Sequence, residues 1–260
     1  MTSAAVHYDQ LLAAQYTWML GGDIGGLAAE QETLLRRLGV RPGPDGGLAV
    51  DLGCGPGQQS LALARIGFAS VVAVDTSKDL LDELALHARG EGATGISPVH
   101  GDIRGTLRRV ARPGTVDAVV CMGDTLPHLP DKADVTRLLA DVADALAPGG
   151  RFVATYRDLS LRLEGTDRFI PVRSDEDRVL TCFLEYVEHD TVMVHDLLHT
   201  RSGDTWTQQV GSYPKLRIAA DWLTEQCRTA GLEVHDDTEG PHGMRLVHAV
   251  KNRGGERCSE

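Results

Sequence analysis

Leu48-Ala49-Val50-Asp51-Leu52 runs directly into Gly53-Cys54-Gly55-Pro56-Gly57, and Gln58 to Arg65 then carries helical periodicity. A short apolar run, a glycine-rich turn and a helix are the first crossover of an α/β sheet. Glycines let the backbone approach a ligand without Cβ obstruction, and the helix N-terminus offers N–H groups to negative charge. A dinucleotide loop of the form G-x-G-x-x-G needs a final glycine, yet counting from Gly53 that position is Gln58 and from Gly55 it is Ser60. The nicotinamide reading therefore lacks its fingerprint.

Outward from this turn the pattern repeats. Ser70 to Val74, Ile96 to His100, Asp117 to Met122 and Arg151 to Tyr156 read as further strands, and Lys78 to His87 and Asp134 to Leu146 as helices between them. Such alternation predicts right-handed crossovers and a parallel sheet covered on both faces. From about Leu161 the pattern changes to a meander: Val179 to Glu188, Thr191 to Thr200 and Asp204 to Ser212, joined by short polar turns. A helix from Ile218 to Ala230 and strands at Leu232 to His235 and Met244 to Lys251 resume the sheet. Ahead of it all, residues 8 to 38 read as one or two helices interrupted at Gly21-Gly22-Asp23-Ile24-Gly25-Gly26. The expected organisation is a helical cap over 1–44, a Rossmann-like domain over 45–160 and 215–252, an antiparallel insertion over 161–214 and a polar tail over 253–260.

With 26 Lys and Arg against 37 Asp and Glu, the net charge is −11, a field that repels nucleic acid and anionic membrane surfaces. The first basic residue is Arg36 and no uncharged apolar run approaches a membrane span, so neither export nor insertion is expected. Five cysteines without a C-x-x-C pair argue against a zinc knuckle or a disulfide framework and point to a reducing cytoplasm.

Chemistry collects at the strand ends. Asp75 terminates the second strand, where a carboxylate takes both hydroxyls of a ribose. His100-Gly101-Asp102-Ile103 closes the third with a carboxylate and an aliphatic face suited to an adenine, and Leu146-Ala147-Pro148-Gly149-Gly150 breaks a helix before the fifth. In this order and spacing, Asp51, the loop glycines, Asp75, Asp102 and the Pro-Gly-Gly turn resemble class I S-adenosylmethionine-dependent methyltransferases over about residues 48 to 156. The resemblance implies a doubly wound, seven-stranded, mostly parallel sheet whose last strand is antiparallel. It further implies S-adenosylmethionine as cofactor, with Asp51, Gly53, Gly55 and Gly57 at its methionine part, Asp75 at the ribose, Asp102 and Ile103 at the adenine, and Met122 beside it.

A narrower likeness lies in Val119-Val120-Cys121-Met122-Gly123-Asp124-Thr125-Leu126-Pro127-His128-Leu129-Pro130-Asp131, which is similar to the corresponding segment of glycine N-methyltransferases. Arg157, after Tyr156, falls where those enzymes carry a carboxylate-binding arginine, and the Ser212-Tyr213-Pro214 turn matches their tyrosine-proline turn. Asp124 replaces their asparagine, and Leu20 stands where their N-terminal tyrosine sits, with Tyr16 and Trp18 as substitutes. Glycine is accordingly not carried over as acceptor. The expected acceptor is a small molecule bearing a carboxylate, methylated on nitrogen, with Arg157, Tyr16, Trp18, Tyr156 and Tyr213 around it and Asp124 or His128 as proton acceptor. O-methylation, or a cofactor-bound cyclisation without methyl transfer, are the alternatives. A homo-oligomer is compatible with all of these.

His189, His195 and His199 do not converge on one ion, because in a strand His195 and His199 stand four residues apart, so no metal is expected. Trp206 and Tyr213 line the acceptor pocket or pack the insertion onto the sheet, and the same two roles are open to Tyr8 and Tyr16.

Overall fold

A computed structural model describes residues 4–7 and 11–252. Helices α1 (Ala4–His7), α2 (Ala13–Met19) and α3 (Ile24–Arg37) precede the sheet. The glycine break resolves at Asp23, whose side chain caps α3 by accepting from Gly26 N–H at 2.8 Å, so Gly25 and Gly26 are helical. A Cβ on Gly26 would collide with that carboxylate.

The main sheet is built from β1 (Leu48–Leu52), α4 (Gln58–Ile66), β2 (Ser70–Asp75), α5 (Lys78–Gly90), β3 (Ile96–His100), α6 (Leu107–Val110), β4 (Val116–Cys121), α7 (Lys132–Ala145) and β5 (Leu146–Tyr156). After the insertion, α8 (Ala220–Thr229), β10 (Leu232–Glu239) and β11 (Arg245–Lys251) complete it. The strand order is β10-β11-β5-β4-β1-β2-β3, with β11 antiparallel to both neighbours and the pairs from β5 to β3 parallel. This is the expected seven-stranded Rossmann-like architecture. The order reverses between β1 and β4, which is the switch point where such sheets bind ligands.

Side chains of β5 alternate between two cores. Phe152, Ala154 and Tyr156 pack with Leu138, Leu223 and Cys227 under α7 and α8, whereas Val153 joins Leu35, Leu63 and Val120 under α3 and α4. By the same two-residue period Thr155 leaves on the face opposite Tyr156. The Pro148-Gly149-Gly150 turn lies inside β5 as an irregularity: Val116 pairs with Leu146 and Ala118 with Arg151.

The insertion is a separate antiparallel sheet, β6 (Phe169–Ser174), β7 (Arg178–Tyr186), β8 (Thr191–Ser202) and β9 (Thr205–Leu216), in that order. Strand β6 is additional to the three expected. It carries Pro171, which cannot donate to a ladder, and survives because β6 is an edge with a register shift beside the proline. Strand β9 also runs past its expected end: Tyr213 pairs with Val194 and Pro214 with Met193, so the presumed turn is edge strand. Leu180, Leu184, Val192, Val194, Leu198 and Tyr213 form this sheet's core, and Leu12 joins them from the segment ahead of α2.

Candidate functional site

Two adjoining cavities open along the carboxyl ends of the parallel strands. The first, about 230 Å³, is bounded by Gly53 and Gly55, by Asp75 at the end of β2, and by Asp102 and Ile103 after β3. Gly53 and Cys54 both donate to the carbonyl of Val74, at 2.8 and 3.0 Å, which folds the loop over the end of β2. The Asp75 carboxylate then accepts Gly55 N–H on Oδ2 and Ser77 N–H on Oδ1, each at 2.8 Å. One side chain thus ties the glycine loop to the start of α5.

Gly55 sits at φ +52, and a Cβ there would stand 3.3 Å from the Tyr16 ring, so α2 crosses directly above the loop. Gly57, at φ +105, has a different duty: a Cβ would strike Leu84, so this glycine brings α4 against α5. Asp51 lies behind the loop, 1% exposed, accepting Ser60 Oγ at 2.7 Å. Burial pushes its carboxyl up to about 7 against the pull of the Ser60 bond. It does not border the cavity and stands behind the glycine loop. Asp102 does border the cavity, with Arg104 closed over it as an ion-pair partner, so an adenine amine would share that carboxylate with a guanidinium. Ile103 supplies the apolar wall. A ribose acceptor at a strand end, an apolar wall beside it and a backbone cradle without Cβ atoms fit S-adenosylmethionine.

The second cavity, about 530 Å³, lies between α2, the ends of β4 and β5, and the inner face of the insertion. Tyr16 and Gly123 border both cavities. Its walls are mainly apolar, with Leu27, Leu163, Leu184 and Val194 among them; Asp124, Asp158, Asp196, Arg157, Tyr213 and Lys215 are among the residues that bring polar atoms. Met122 borders this cavity and not the first, a departure from its expected place beside the cofactor.

Asp124 holds a left-handed backbone at φ +79, rare for a residue with a side chain. Its N–H donates to Thr155 O at 3.0 Å, Oδ1 accepts Arg157 N–H at 2.8 Å, and Oδ2 accepts Lys215 Nζ at 2.6 Å. Burial would raise its pKa, but the Lys215 ammonium, His128 and the Arg157 N–H together hold it below the usual carboxylate range. The expected proton acceptor is therefore a carboxylate committed to an ion pair. Burial, then the Lys215 charge, lowers His128 to about 3, so its ring is neutral at physiological pH and weakly basic. It borders the first cavity and tilts against Tyr213, centroids 5.6 Å apart. The Tyr213 ring also stacks on His7, at 4.6 Å, and His7 bonds Asp196 at 2.7 Å, which fastens α1 to the insertion.

Arg157 reaches the rim of the second cavity, exposed, with a long 3.5 Å contact to His242 O. Tyr16 forms the shared wall; burial, then Asp75 and Asp124, raise its hydroxyl pKa strongly. Two expected acceptor contacts do not reach a cavity. Tyr156 is fully buried in the α7–α8 core, because the strand period turns it away from Thr155. Trp18 is partly buried against the insertion's core, donating to Asp175 at 2.6 Å with the Arg178 guanidinium 4.5 Å above its ring. Tyr8 lies outside the described residues. Trp206 is exposed, and His195 bonds Glu185 at 2.8 Å. Among the described residues no group of three or more His, Cys, Asp and Glu is placed to hold a metal ion, and no helix is long and apolar enough to cross a membrane.

The sequence reading missed Lys215 and Thr155. Lys215 stands two residues beyond Tyr213 on the same strand face, so placing Tyr213 at the pocket was enough to find it. Thr155, whose Oγ1 accepts Gly123 N–H at 2.9 Å, was hidden by the choice of its neighbour Tyr156.

Residues 49–150 match the family model of a methyltransferase domain. The chain is 31% identical over 145 residues to a ubiquinone biosynthesis O-methyltransferase of Methylococcus capsulatus, covering 56% of this chain and 58% of that one. It is 33% identical over 156 residues to the enzyme of the same name from Xanthomonas campestris, covering 57% and 61%. It thus spans less than two thirds of the length of these curated relatives. Among solved structures, an S-adenosylmethionine-dependent methyltransferase from Clostridium acetobutylicum superposes with a TM-score of 0.70 at 18% identity, covering 95% of this chain and 96% of that one. An amino pentose methyltransferase from Micromonospora echinaspora, solved with bound cofactor, gives 0.66 at 20%, covering 86% and 90%. The fold is that of the class I methyltransferases.

Proposed function

We propose that this chain, carrying a methyltransferase domain in a class I methyltransferase fold, transfers a methyl group from S-adenosylmethionine to a small molecule in the second cavity. The observation that carries the reading is the joined pair of cavities: a glycine cradle with Asp75 on one side, a larger and mostly apolar chamber on the other, and Tyr16 with Gly123 between them. Asp75 would hold the ribose, Ile103 the adenine, and the Gly53 to Gly57 loop the methionine part. The sulfonium supplies an activated methyl; transfer forms a bond from acceptor to carbon as the carbon–sulfur bond breaks, leaving S-adenosylhomocysteine.

The protein's own work is to position the acceptor and exclude water. Neither Asp124, held in its ion pair, nor His128, weakly basic, is suited to strip a proton. An amine acceptor therefore enters neutral, and the product ammonium gives up its proton to solvent. The finer reading is transfer to nitrogen of an amino-acid-like or other carboxylate-bearing metabolite. It is supported by Arg157 at the cavity rim and by the likeness of the Val119 to Asp131 segment to glycine N-methyltransferases. The second reading, O-methylation, is favoured by the curated relatives named ubiquinone biosynthesis O-methyltransferases.

Incubation with methyl-labelled S-adenosylmethionine and matched amine, hydroxyl and carboxylate acceptors tests this. S-adenosylhomocysteine should accumulate in proportion to a product heavier by one methyl, and the bond formed decides nitrogen against oxygen. Tight cofactor binding with conversion of a substrate but no methyl transfer would instead favour the non-methylating alternative. Arg157→Ala should raise the acceptor's KM at constant cofactor affinity; equal efficiency would remove Arg157 as anchor.

A further inference from the structure

Lys215 leaves β9 on the same face as Tyr213 and lines the second cavity, with its side chain only 10% exposed. An ammonium has three N–H donors. Among the described residues one acceptor stands within bonding distance, Asp124 Oδ2 at 2.6 Å, and the Tyr213 ring lies 5.7 Å away. The partner carboxylate is differently placed, since Oδ1 takes Arg157 N–H and Oδ2 takes Lys215. The pair is neutral in sum and both side chains line the chamber, 10% and 9% exposed; each Asp124 oxygen already accepts a bond, whereas the ammonium has two further N–H groups for which the described residues supply no acceptor. An anionic oxygen arriving with the ligand would take those N–H groups and form a charge-assisted bond in a buried wall.

We propose that Lys215 recognises the methyl acceptor by donating to an anionic oxygen, a carboxylate, and that Asp124 is its positioning residue. The proposal rests on the methyltransferase reading and deepens it by naming the side chain that selects the acceptor. It also separates two cations: Arg157 at the exposed rim acts through a screened contact, whereas Lys215 acts from a buried wall, where a hydrogen bond to charge counts for more.

The test uses the full chain loaded with S-adenosylhomocysteine and two probes of one shape, 4-phenylbutanoate and 4-phenylbutanamide, titrated calorimetrically. The parent should prefer the carboxylate by ~10- to 100-fold, the span of one charge-assisted bond in a buried site. Lys215→Met should bring the two probes to about equal affinity and leave the S-adenosylhomocysteine affinity unchanged, whereas a general loss of structure would weaken all three ligands. Because that variant leaves Asp124 buried without its partner, the double variant Asp124→Asn with Lys215→Met removes both charges and should likewise show no preference. A preference that persists in either variant, or a parent that shows none, overturns the proposal while leaving the methyltransferase reading intact. A parent that fails to bind S-adenosylhomocysteine overturns both.

Discussion

Replacing Asp75 separates cofactor binding from loop architecture. Its carboxylate accepts two backbone N–H groups at 2.8 Å, from Gly55 and Ser77, and borders the first cavity. Asp75→Ala removes the expected ribose acceptor, worth about 1–3 kcal/mol, or roughly 5- to 150-fold in Kd. It also frees the two N–H groups, and since the site is half-buried, water recovers part of that loss; we expect a further cost to folding of about 1–2 kcal/mol. Asp75→Asn is not a conservative control, because one face of the amide is NH2 and meets a backbone donor where the carboxylate offered oxygen. Both variants should therefore weaken S-adenosylhomocysteine binding by roughly 10- to 100-fold. The assays are calorimetric titration with S-adenosylhomocysteine and urea denaturation without it. A folded Asp75→Ala protein with parental affinity would refute the assignment of the first cavity to the cofactor's ribose.

Three other outcomes are expected. Gly57→Ala places a Cβ into Leu84 at a backbone φ of +105, so strain and collision together should cost about 3 kcal/mol or more in urea denaturation, partly recovered when Leu84→Ala is added. Tyr156→Phe removes a buried hydroxyl that has no hydrogen-bond partner among the described residues, so stability should change by less than about 1 kcal/mol and acceptor KM not at all; a raised KM would return Tyr156 to the pocket. His128 sits at about 3 when folded, below its ordinary value of 6.5, so only the unfolded chain gains a proton as pH falls below 6.5. Its burial thus subtracts stability progressively from about pH 6.5 down toward 3, and His128→Asn should flatten that decline in urea midpoints taken at pH 7 and 5; an unchanged slope would show the ring is not held neutral.

The centre of the parallel sheet was legible because β1 and β4 are buried on both faces and read as continuous apolar runs. Leu48 to Leu52 and Ile96 to His100 have the expected bounds, and Asp75 ends its strand at the cavity. What escaped was information about faces. Nothing local to Thr155-Tyr156-Arg157 says which of two cores a side chain enters, and Tyr156 entered the one under α8. Strand β6 escaped because Pro171 argues against a strand until one knows that it is an edge. Trp18 escaped because its partners, Asp175 and Arg178, stand some 160 positions away and belong to the insertion. Tyr213 was enough to bring Lys215 to the pocket, but its pairing with Asp124, 91 residues away, depends on β9 folding back over the end of β4.

Tyr16 borders two chambers at once, so on the proposed reading its ring would stand between two ligands and could couple them. Any factor by which an occupied glycine cradle tightens the neighbouring chamber must return, in reverse, as the factor by which an acceptor tightens the hold on the cofactor. An acceptor mimic that presses the ring down onto Gly55 would trap S-adenosylhomocysteine as well, so inhibitors of this protein can be sought as molecules that make the spent cofactor slow to leave.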